Sequence, residues 1–157
     1  RQNGQWVTEQ LMDIPTSDIE FWDLDGDGRE ELAVIEGFHG NNVAVFKEEM
    51  GSYVRALDLP AAFGHVLWAG PILGRPALIV GSRAERKALT LYRLQAGDDG
   101  KMFVEQQAEL DQGQAPAQIT VLEDGRTLLT TNHDVGELAK YTLSCKDSPA
   151  DATKGDS

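Results

Sequence analysis

Carboxylates recur at alternate positions in Asp23-Leu24-Asp25-Gly26-Asp27-Gly28-Arg29-Glu30-Glu31. Three acids on every second residue of a tight turn can aim their oxygens at one point. That is how a short loop wraps a hard cation such as calcium, which takes six to eight oxygens. Gly28 permits the sharp reversal that a Cβ would obstruct. Arg29 would offer its backbone carbonyl, and Glu31 would close the far side. A helical EF-hand is excluded, because its loop needs a bidentate Glu at position twelve. Counted from Asp23 that position is Val34. The residues after the loop, Leu32-Ala33-Val34-Ile35, read as a buried strand rather than a helix. The competing reading is an Asp/Gly-rich turn without metal, in which four crowded carboxylates would repel one another.

The elements that carry this loop recur along the chain. Trp22, Gly28, Arg29, Leu32 and Val34 return at an offset of 46 residues as Trp68, Gly74, Arg75, Leu78 and Val80. Phe46 returns as Tyr92, and a looser third copy runs through Gly125, Arg126, Leu129, Leu138 and Tyr141. A period in the high forties points to propeller blades or arrays. Strands are expected at 19–22, 31–36, 42–47 and 52–57, then at 66–69, 77–81, 88–94 and 102–107, and finally at 118–122, 127–131 and 137–143. Residues 5–11 resemble the fourth strand of a unit. The expected fold is all-β, made of β-propeller-type repeats of four-stranded antiparallel blades. The total is twelve strands, about three blades' worth, as a partial propeller or half of an assembled one. The units are an outer strand at about 5–17, then 18–60, 61–112 and 113–145. A polar tail, 146–157, is expected to be disordered.

Composition narrows the function. The 157-residue chain has a formal net charge of −12 and no basic patch, which argues against nucleic acid. No apolar run reaches the roughly 20 residues that span a bilayer. Cys145 is the only cysteine, so no internal disulfide forms. His39, His65 and His133 lack metal-ligand spacing, and His39 and His133 fall in equivalent turns. Trp22 and Trp68, at matching positions, read as packing residues, and the charged stretch 82–87 as a solvated hairpin tip. No nucleophile elbow or phosphate loop is present, so no catalytic set emerges.

Residues 23–34, followed by Gly37-Phe38-His39-Gly40 and Val43-Ala44-Val45-Phe46, resemble the FG-GAP/VCBS repeat, the calcium-bearing blade of integrin-type propellers. The resemblance is strong in one unit and reaches the others through the internal repeat. It implies that Asp23, Asp25, Asp27 and Glu31 bind calcium through side chains and Arg29 through its carbonyl. Positions matching the four acids hold Ala69, Pro71, Leu73 and Ala77 in the second unit, and the third keeps only Glu123-Asp124-Gly125. One structural calcium site is therefore expected. The implied role is binding or scaffolding of a protein or glycan outside the cytoplasm: extracellular, at the cell surface or periplasmic. The alternatives are an accessory segment of a glycan-acting enzyme, or a lectin-like homo-oligomer.

Overall fold

The computed structural model describes Gly4 and residues 6–144. Cys145 and the expected tail lie outside the described residues. The chain is all-β, with eleven strands in three antiparallel sheets among the described residues. The first sheet is a meander of β1 (Thr16–Trp22), β2 (Glu31–Glu36), β3 (Asn42–Glu49) and β4 (Ser52–Pro60). The second repeats it with β5 (Gly64–Ile72), β6 (Arg75–Ser82), β7 (Leu89–Ala96) and β8 (Met102–Asp111). The third has β9 (Pro116–Val121), β10 (Thr127–Asn132) and β11 (Glu137–Thr142). This is the arrangement of consecutive propeller-like blades, with no closed ring among the described residues.

The sheets stack face to face, their first strands β1, β5 and β9 approaching most closely. Ala33, Ile35, Val43 and Val45 of the first sheet meet Leu78, Val80, Tyr92 and Leu94 of the second in one core. The other face of the second sheet, Ala77, Ile79, Leu89 and Leu91, meets Ile119 and Leu128 of the third. The middle sheet is thus buried on both faces, which is why β6 is a continuous apolar run without alternation. Asp18 stitches the first two sheets by accepting a hydrogen bond from the Leu67 amide at 2.7 Å.

Two expectations change. Residues 6–11 form no strand. An outer strand there would need the free edge of β11, and in this stack the first and third sheets each pack on the middle one from opposite sides. Instead Met12 and Ile14 lie against Leu32, Val34, Ala44 and Phe46 on the first sheet's outer face. The second change concerns register. Trp22 pairs with Glu31, whereas Trp68 pairs with Ile79. Leu32 faces Phe21 while its repeat partner Leu78 faces Ala69. The inner strands are therefore offset by 48 residues although the second and third strands keep 46. Trp68 corresponds to Glu20, not to Trp22. The slip is even, so side chains keep their face. It arises because the second unit replaces the long acidic loop by a two-residue hairpin.

Candidate metal centre

The loop between β1 and β2 is anchored at its root by Leu24, which is buried in the core between the first two sheets. Beyond it the aspartates fold the backbone around themselves. Asp23 accepts from the amides of Gly26 (2.8 Å) and Gly28 (3.0 Å). Asp25 accepts from the Asp27 amide (3.2 Å), and Asp27 from the Arg29 amide (2.8 Å). Gly26 and Gly28 supply left-handed backbone, at φ of 80° and 88°. The result brings one oxygen from each of Asp23, Asp25 and Asp27 within 4.8 Å of one another. No other group of three metal-ligating side chains comes together among the described residues.

Glu31 opens β2 and is almost fully buried. Its Oε2 accepts from the Leu24 amide at 2.8 Å, so it closes the loop from below. Burial pushes its carboxyl up from the ordinary range, as does the nearby Asp25; the Leu24 amide and Lys47 oppose the rise. The Arg29 side chain points outward and pairs with Asp27 at 3.2 Å, leaving its carbonyl as the part that could serve a cation.

One participant was missed by the sequence reading. Lys47, from β3, brings its Nζ to 2.5 Å from Asp25 Oδ2, 3.0 Å from Asp27 Oδ2 and 3.7 Å from Glu31 Oε1. The side chain of Asp25 has no exposed surface. Its buried Oδ2 meets the ammonium as a close ion pair. Asp27 feels desolvation that would raise its pKa, but the bonds from Lys47 and Arg29 outweigh it and hold the group low. A signal for Lys47 exists in the repeat, since a basic residue follows the matched aromatic in both Phe46-Lys47 and Tyr92-Arg93.

The other two units show what the scaffold does without the acids. In the second, Leu73 and Gly74 (φ of 52° and 76°) make a two-residue hairpin between paired Ile72 and Arg75. Arg93 is buried beneath it and donates to the carbonyls of Arg75 (2.8 Å), Pro76 (2.6 Å) and Ile72 (3.0 Å). In the third, Asp124 alone ties the turn, accepting from the Arg126 and Thr127 amides and the Thr127 hydroxyl. Those bonds, the hydroxyl foremost, bring its pKa down to about 2. Ala69, Pro71, Leu73 and Ala77 offer no side-chain oxygens, as expected.

The histidines form a different feature, at the opposite end of the strands. His39 stacks on Phe63 (4.6 Å between centroids) and on His65 (4.7 Å), with Phe38 beside it at 4.0 Å. His133 contacts Asp134 at 3.1 Å. Stretch 82–87 is more than a solvated tip: Arg86 pairs with Glu109, and Lys87 reaches Asp134 of the third sheet. Burial lowers the His65 pKa, helped by Arg83, His39 and His133, with only Asp18 opposing. The folded state thus holds His65 neutral, and the unfolded chain takes up its proton first. Stability from this group is present above about pH 6.5 and lost as pH falls toward the folded-state value. Thermal unfolding from pH 6.5 down to about pH 5 should show wild type losing more stability than His65→Phe, which keeps the ring stack. Equal losses would remove His65 from the account.

No protein-family model matches this chain. No curated protein matches its sequence either. The chemistry of the site accordingly rests on its geometry: an all-oxygen donor set on a loop pre-shaped by its own amides, which fits a hard cation and could hold one. No helix among the described residues is long and apolar enough to cross a membrane.

Proposed function

We propose that this chain is a calcium-stabilised propeller-type module that binds or scaffolds a partner, protein or glycan, outside the cytoplasm, without catalysing a reaction itself. The observation that carries the reading is the convergence of Asp23, Asp25 and Asp27 within 4.8 Å beside buried Glu31. Calcium would be held by these four carboxylates and the Arg29 carbonyl. Its work would be mechanical: neutralising the acids and fixing the corner between β1 and β2. The other two units support a structural role, because a guanidinium and an Asp-centred turn do the same work there.

Sites in extracellular modules bind calcium with dissociation constants of about 0.1–1 mM, so they fill outside cells and stay empty in the cytosol. At the far end of the strands, Phe38 (86% exposed) and Phe63 (39% exposed) offer ring surface to a partner such as a sugar. Ile19 and Phe21 leave the β1 side of the first sheet's outer face, beside the segment through Met12 and Ile14, open to a further blade, from another segment or a second copy. Calorimetric titration should find one calcium site in this range, abolished in Asp25→Ala. Absence of binding at about 10 mM calcium would refute the reading. A glycan panel separates the alternative, since turnover by the isolated chain would make it an enzyme and binding without turnover a module.

A further inference from the structure

We infer that Lys47 is a tethered competitor for the cation of the 23–31 loop, seated among the carboxylates when no metal is bound and displaced when calcium enters. This rests on the calcium reading above and adds a residue that sets the site's affinity.

Three observations converge on it. The ammonium lies within 3.7 Å of oxygens from Asp25, Asp27 and Glu31, three of the four acids. Calcium bonds oxygen at about 2.3–2.6 Å, so an ion bound to Asp25 Oδ2 would stand no more than about 5 Å from Nζ where it now lies. The two cations contend for the same oxygens, and the approach of like charges disfavours holding both. Second, Asp25 Oδ2 is buried, and the contact it makes is with the Lys47 ammonium at 2.5 Å. An oxygen so placed is satisfied by positive charge, which either cation supplies. Third, the middle sheet contains the permanent form of the device. Arg93 stands one residue after Tyr92 on β7, as Lys47 follows Phe46 on β3, and it is fixed to three backbone carbonyls of its loop. The scaffold places a strand-borne cation under the loop in both sheets. Only in the first is that cation held by carboxylates rather than by backbone carbonyls, on a long unbranched stem that can swing away.

Two consequences follow. The loop stays folded without calcium, because Lys47 offsets part of the repulsion. Calcium affinity is lowered, because binding must first remove a favourable ion pair.

The test compares wild type, Lys47→Met and Lys47→Gln by calorimetric calcium titration and by thermal unfolding in chelator. Both substitutions remove the charge, and Gln keeps a polar end should Met fail to fold. Calcium binding is expected to tighten by roughly tenfold or more, the scale on which a single nearby charge shifts the ionisation of its neighbours. In chelator both variants are expected to melt below wild type, whereas Lys47→Arg, which keeps the charge, stays near it. Unchanged or weaker binding in both neutral variants would overturn the competition while leaving the calcium site intact. Absence of binding in every protein would overturn both readings. Binding seen only in the neutral variants would uphold the competition and overturn the calcium-stabilised reading of the wild-type chain.

Discussion

Arg93→Met should destabilise the chain by about 3 kcal/mol. Arg93 is only 6% exposed, and its guanidinium donates to the carbonyls of Ile72, Arg75 and Pro76. Methionine fills much of the same volume but donates nothing. Each buried acceptor left without its donor costs about 1–3 kcal/mol, and water entering from the hairpin side would recover part of the loss. The damage should stay local to the Leu73-Gly74 hairpin and its link to the third sheet, where the Leu73 amide donates to the Gly125 carbonyl at 2.9 Å. Urea unfolding measures this as a lowered midpoint at unchanged slope. A midpoint within experimental error of wild type would show that the hairpin holds itself.

Gly40→Ala should be comparably severe, at about 2–4 kcal/mol, through the opposite end of the first sheet. A Cβ at this position would lie 1.6 Å from the carbonyl oxygen of Glu36 and 2.8 Å from its carbon. Both are backbone atoms of β2, so no rotamer change relieves the overlap. The turn also connects sheets: the Gly64 amide donates to the Gly40 carbonyl at 2.8 Å, and the Phe63 amide to Asn41 Oδ1 at 3.0 Å. Opening it would loosen the seat of His39 against Phe63 and His65. Near-wild-type stability would mean that the 37–41 turn can be redrawn without cost.

The sequence made the sheets legible because two signals agree there. The apolar runs at 32–35 and 77–80 are bounded by glycine-containing turns, and the repeat places them in register with each other. Both are strands of the expected kind. The acidic loop was legible because its aspartates and glycines are neighbours in sequence, so their convergence within 4.8 Å needs only a local turn. What escaped detection depends on contacts distant in sequence. Lys47 lies 22 residues beyond Asp25, and nothing local marks its ammonium as part of the loop. The Trp22/Trp68 match misled because identical residues at a constant offset look equivalent, whereas pairing geometry decides equivalence and shifts by two across the shortened hairpin. Residues 6–11 carry strand-like chemistry, but the edge they would complete is that of β11, on the far side of the middle sheet. The His39 stack was invisible for the same reason as Lys47: its partners Phe63 and His65 come from the next unit.

Calcium-dependent thermal unfolding of wild type and Asp25→Ala tests the central claim most directly. With calcium at ten times its dissociation constant, linkage adds about 1.4 kcal/mol. For a chain of this size that raises the melting temperature by roughly 4–6 °C over the chelator-treated protein. Asp25→Ala should show no such rise, because the buried carboxylate at the centre of the loop is gone. A wild-type melting temperature unmoved by calcium, or a rise that survives in Asp25→Ala, would contradict the account and leave the loop an acidic turn offset in part by Lys47 and Arg29.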